Sequence, residues 1–310
     1  DVRVDSASIR DASVTADPDL KGGAATLGSA EVAGLKAGDM SADKASVRDV
    51  SASAKNDFTD GAAHVGAADV EGLVAGDASL QTGSVRDASI TSKGDVRSAS
   101  VASAEAKGLK VGDFSADTAK VGDVSGTADA DGKGGSGRVG SAEVTGLKVG
   151  DLEVDKASAA GVSAEGRLSG SSASASVDSV DVSGVRNGDL SVEEAKLRGA
   201  ALSGQNLKDD ERRSLTGKVD EASVTGAQKG GTHIGRASAV GVTGSTDRGE
   251  RDLELGADRA AVFDASHKEG DLSASVKSAG VEGLSAKVSD GDARVGVDEA
   301  KVWDLRAKKG

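Results

Sequence analysis

The sequence holds no cysteine and no tyrosine, and among its 310 residues only one proline, three phenylalanines and one tryptophan. Without cysteine there is no disulfide framework, no thiolate zinc site and no cysteine nucleophile. With so few rings, the apolar set is mostly Ala and Val, which cannot fill a wide interior at native packing density. That argues against a large single-core enzyme. No apolar run approaches the roughly 20 residues of a membrane-spanning helix. The acidic, Gly- and Ser-rich composition points toward disorder, but the near-absence of proline and the regular spacing of apolar residues argue for a narrow, repetitive folded rod. The 38 Lys and Arg against 51 Asp and Glu leave a formal net charge of −13, which disfavours direct binding to nucleic acid and keeps an extended molecule soluble. The opening Asp1-Val2-Arg3-Val4 is no signal peptide and already falls inside the repeat, so the chain is expected to be an excised piece of a longer one.

What the sequence does contain is self-similarity. The run from Gly28 to Asp39 returns at Gly66 to Asp77, Ala102 to Asp113, Gly140 to Asp151 and Asp178 to Asp189. With Val32 as marker, the equivalents are Val70, Ala106, Val144, Val182, Val224, Val262 and Val302, spaced 36 to 42 residues apart. The expectation is one array over residues 1–310, with the last copies degenerate and capping. A finer rule runs inside each copy. Val32, Leu35, Ala37, Met40, Ala42, Ala45, Val47 and Val50 are separated alternately by two and three residues. A helix needs three-four spacing and a plain strand unbroken alternation. The pattern therefore predicts short extended segments that turn every five residues at Gly-Asp and Arg-Asp corners.

With these pentads, the chain resembles the pentapeptide-repeat proteins over about half to two-thirds of its length. The resemblance implies an all-β, right-handed, four-sided solenoid in which each pentad forms one side. Two features depart from that pattern: the larger inward residue swaps places, as in Ala30/Val32 against Leu35/Ala37, and polar breaks such as Lys55 to Gly61 interrupt each copy. The breaks predict hairpins or loop excursions, so that a copy is one coil plus a hairpin or two coils with a loop. Ala30, Ala68, Ala104 and Ala142 are expected to stack in one interior ladder, and stability to come from neighbouring copies.

Candidate chemistry is sparse. The corner residues Asp39, Asp77, Asp113, Asp151 and Asp189 recur in register. Stacked carboxylates suit calcium, although Gly supplying a positive φ and Asp capping the turn explains them without a ligand, and neither the β-roll nonapeptide nor the EF-hand pattern is present. His64, His233 and His267 are scattered, and Glu193-Glu194 and Asp209-Asp210-Glu211 read as solvated charge. Gly132 to Gly137 looks like a phosphate cradle but lacks strand–helix context, and Leu207 to Leu215 is the most helix-like tract. Phe263 and Trp303 follow the markers Val262 and Val302 at outward positions, where they mark a contact face or a cap on the last coils.

The leading expectation is a non-catalytic structural segment, a stalk, fibre or spacer of a larger bacterial protein at the cell surface or secreted. It has no cofactor, and its partners are another protein or adjacent domains of the same chain. Two rivals stand beside it: an acidic protein-binding rod that mimics DNA, and a β-groove that carries lipid. The groove needs a broad apolar trough, which Ala/Val ladders supply poorly.

Overall fold

Long runs of Val, Thr, Ser and Ala with scarcely any proline favour extended backbone, because nothing in them removes a ladder hydrogen bond. In the computed structural model, which describes residues 2–18, 21–55, 59–129, 131, 133–167, 172–207, 209, 213–247, 252–289 and 292–309, the described residues form eighteen antiparallel β-strands and no helix. The chain divides into two units, Asp1–Val149 and Gly150–Gly310. Phe58, Gly132 and, within the tract 207–215, residues 208 and 210–212 lie outside the described residues.

The first unit holds β1 (Val2–Arg3), β2 (Ser6–Ala16), β3 (Gly23–Ala37), β4 (Met40–Lys55), β5 (Asp60–Ala75), β6 (Ala78–Lys93), β7 (Val96–Val111), β8 (Phe114–Asp129) and β9 (Gly134–Val149). From β2 onward each strand pairs with the next in an antiparallel meander. β1 and β2 both pair with β3, as one edge strand interrupted at Val4–Asp5. The second unit holds β10 (Leu152–Arg167), β11 (Ser172–Asn187), β12 (Leu190–Gln205), β13 (Ser214–Lys229), β14 (Thr232–Asp247), β15 (Asp252–Glu269), β16 (Leu272–Ser289), β17 (Asp292–Gly296) and β18 (Glu299–Lys309). It repeats the meander, and β17 and β18 share the far edge of β16.

The repetitive all-β architecture is as expected. The path of the chain inside a copy differs from the coil drawn from the pentads: each copy is a long antiparallel hairpin, one odd strand and one even strand. The five-residue rule has another origin. Most strands carry one internal residue in the left-handed region, such as Gly34 (φ 63°) in β3, Asp49 (φ 53°) in β4 and Gly72 (φ 60°) in β5. At those points the ladder skips a pair: between β3 and β4 the register runs unshifted from Gly23↔Ala54 to Ala37↔Met40 but omits positions 28/49 and 34/43. Each skipped pair divides the strand into segments of about five residues and resets the side-chain alternation. A step of three across the break thus keeps residues on one face, as with Leu80 and Gly83 of β6: a Cβ on Gly83 would lie 2.8 Å from Leu80 and 3.0 Å from its cross-strand partner Val70.

No deep core results. Among the described residues the buried apolar side chains are Ala42, Ala67, Ala116 and Val154. Stability therefore rests on the backbone ladder and on cross-strand pairs, each of the latter contributing on the order of 0.2–1 kcal/mol.

Two glycines of β5 and its following turn separate strain from crowding. A Cβ on Gly76 (φ 57°) would meet nothing within 4 Å, whereas one on Gly72 would lie 2.0 Å from an Asp43 carboxylate oxygen. Gly76→Ala is expected to cost about 1–2 kcal/mol, the price of a left-handed alanine. Gly72→Ala is expected to cost more, because Asp43 must also move. Urea midpoints of the two variants check the order; equal losses would show that Asp43 yields freely.

Candidate functional site

The markers found in the sequence fall on one row in each unit. In the first, Val32, Ala45, Val70, Gly83, Ala106, Ala119 and Val144 are successive cross-strand partners from β3 to β9. Two residues away along each strand runs a second row, Ala30, Val47, Ala68, Val85, Ala104, Val121 and Ala142. Larger and smaller side chains alternate along most of each row and are offset between the two, so the floor is largely a checkerboard of Val and Ala. Most strands carry the smaller floor residue first along the chain, so antiparallel pairing offsets neighbours into the checkerboard; the swap of the larger residue from Ala30/Val32 to Leu35/Ala37 falls within β3, across the left-handed Gly34. The expected ladder of Ala30, Ala68, Ala104 and Ala142 exists, with a valine from an even strand between each pair.

These two rows line a channel of about 660 Å³, with Leu80 reaching in from a flanking segment. The second unit has the same construction. Val182, Ala195, Val224, Ala237, Val262, Ala279 and Val302 form one row, Val180, Leu197, Ala222, Ala239, Ala260, Val281 and Ala300 the other. They line a channel of about 740 Å³. Seven strands at about 4.8 Å make each channel about 29 Å long. Both volumes lie in the usual range for ligand pockets.

The other face of the same segments is charged. Glu31 and Lys44 pair at 2.8 Å, and Asp69 sits between Arg48 at 3.0 Å and Arg86 at 2.6 Å. Arg86 also donates to the carbonyls of Ala68 and Val85. Arg198 does the same in the second unit, donating to Val180 and Leu197 carbonyls and to Asp181 at 2.6 Å. Exposed pairs of this kind contribute little each, but opposite charges facing across strands fix which residues can be neighbours. Alternation along the middle segments therefore gives one apolar face and one largely polar face, ion-paired at the positions named.

Each candidate from the sequence has a definite place. Asp39, Asp77, Asp113 and Asp189 occupy the second position of two-residue hairpin turns whose first residue is a glycine with positive φ, the pattern of a type II′ turn. Asp151 follows Gly150 in the same way at the start of the second unit. Gly76 donates to the Asp39 carbonyl and Gly112 to that of Asp77, each at 3.4 Å, so successive turns are tied by backbone. Among the described residues no three His, Asp or Glu converge to hold a metal ion. His64 lies between Ser51 and Ser89 on neighbouring strands. His233 faces Gln228 and Ser266, and His267 Nδ1 is 2.8 Å from the Thr232 hydroxyl. Phe263 and Trp303, far apart in sequence, are brought into one row on the charged face, each directly opposite Ser278. A lipid groove stood among the expectations only as a rival, with none of the residues that line these channels named as a site. Their signal was the recurring small-x-large pair, as in Ala30/Val32, Ala45/Val47, Ala68/Val70 and Gly83/Val85.

The Arg198 guanidinium hydrogen-bonded to Asp181 holds that carboxyl below its usual range. Asp252 is lowered likewise, first by the Ser289 hydroxyl and then by Lys287. A carboxyl lowered on folding adds stability above its unfolded pKa, near 3.9, and loses it as pH falls through the folded value. The second unit is therefore expected to weaken from about pH 4 downward, with the Asp181→Asn variant showing a shallower fall. Urea midpoints between pH 2 and 7 measure both; parallel curves would remove Asp181 from the account.

Compared with known proteins, the chain matches no family model, no curated protein and no solved structure.

Proposed function

We propose that each unit holds the hydrocarbon part of a lipid in its apolar channel and turns its ion-paired face to water. One observation carries the reading: two seven-residue rows of Ala, Val, Leu and Gly run unbroken for about 29 Å along a channel that the strands around it leave open. Each methylene moved from water to such a surface contributes up to about 0.8 kcal/mol, so a chain of ordinary acyl length is held even when one side stays exposed. A pure stalk has no use for an open apolar channel, since a filled interior would be more stable. Alternating charge on the outer face, as in Glu31–Lys44 and Arg48–Asp69–Arg86, speaks against a DNA-mimicking rod, which needs carboxylates with few bases among them.

Titration with cis-parinaric acid, a fluorescent polyene fatty acid, tests the reading, together with mass spectrometry of lipids extracted from the purified protein. Saturable binding is expected. Ala106→Phe and Ala237→Phe, which place a ring on the floor of the first and second channel, should each remove about half of it. Absence of binding, with extracts free of acyl chains, would return the chain to the structural-spacer reading.

A further inference from the structure

The charged face of the second unit carries a patch that the channel does not explain. Across strands β14, β15, β16 and β18, the register aligns Arg236, Phe263, Ser278 and Trp303 in one row. Directly opposed residues of an antiparallel sheet share a face, so both rings stand on the same side, separated by one serine strand. Two strand spacings put their Cα atoms about 10 Å apart. The next row along the strands is small at its centre, Ser238, Ala261 and Gly280, with Lys301 at its β18 end, and a Cβ on Gly280 would have no neighbour closer than 3.4 Å. Beyond it come Arg259, Glu282 and Glu299. The patch is thus a shelf of Ser, Ala and Gly with an exposed ring at either end of one side and charged groups along the other. Phe263 is 40% exposed and Trp303 53%. Two of the four aromatic residues in the chain meet here.

We propose that this shelf binds a neutral, linear, β-linked polysaccharide. Three features select that ligand. Flat apolar rings suit the C–H faces of pyranose units, and a spacing of about 10 Å matches alternate sugars of an extended β-linked chain, with the intervening sugar over Ser278. Arg259 is paired to Glu282 at 3.4 Å and Lys301 to Glu299 at 2.5 Å, so the charges along the far side neutralise each other; Arg236, opposite Phe263, adds donors for hydroxyls, and a single cation offers a polyanion little. The same groups present both donors and acceptors to hydroxyls, which a neutral sugar uses in either sense. The patch lies on the face opposite the channel, and this inference does not depend on what the channel holds.

Trp303 is the single tryptophan of the chain, so its fluorescence reports on the shelf directly. The full chain is titrated with cellohexaose, and with choline as a cationic control. A saturable change in Trp303 emission with cellohexaose, weakened at least tenfold in Phe263→Ala and retained in Phe263→Tyr, is the expected result. Circular dichroism establishes that the variants keep their strands. No saturable change with cellohexaose, equal affinity in Phe263→Ala, or saturation by choline alone would each overturn the proposal. Loss of acyl binding in the channel would leave it standing.

Discussion

A sheet without a core depends on its backbone. With Ala42, Ala67, Ala116 and Val154 the buried apolar side chains among the described residues, hydrophobic burial cannot hold these strands in place as it does in a sandwich. The inter-strand ladder carries that burden, and it does so because most strands are about sixteen residues long and meet their neighbours without a shift in register. Long matched strands leave few backbone groups unpaired. The side chains then have a different task, which is to make every other register wrong. Arg48 and Arg86 bracketing Asp69, or Arg198 over Asp181, do this by charge. On the opposite face, the packing of Val against Ala or Gly does it by size.

The left-handed residues link this scaffold to its channels. A flat sheet with strict alternation would put Leu35 and Val32 on opposite faces, since they are three residues apart. Gly34, at φ 63° between them, restores both to one side. The same device at Asp49 and Gly72 lets a long strand present one apolar face through successive bends. Channel and ladder are thus two results of one arrangement.

Much of this was legible in the residues. The copy length, the all-β character and the Ala/Val interior all follow from spacing, because side-chain alternation is a local property of extended backbone. The two-three rhythm was legible too, but its cause was not. A left-handed residue inside a strand and a corner between two short strands leave the same trace in sequence, and only the pairing partner tells them apart. Val32 opposite Ala45 is a contact across a hairpin, and no pattern within one pentad encodes it. The meeting of Phe263 with Trp303 over Ser278 was hidden for the same reason: it spans strands, whereas each residue was visible only beside its own marker.

The skipped pairs have a consequence for how such a protein can change length. In the first unit, odd and even strands alike offer the small floor residue before the larger, as at Ala30 and Val32 and at Ala45 and Val47, but they differ at the skipped pairs, where Gly66 and Gly72 of β5 lie against Asp49 and Asp43 of β4. Removing a single strand would bring two strands of the same kind together, pointing in opposite directions from their native sense, and would keep alanine opposite valine but set glycine opposite glycine at the skipped pairs. Removing a hairpin leaves the mosaic intact. Length is therefore quantised: the channel can be extended or trimmed only in increments of two strands, about 10 Å, and a gene encoding it can tolerate duplication or loss of whole copies while half-copies are selected against.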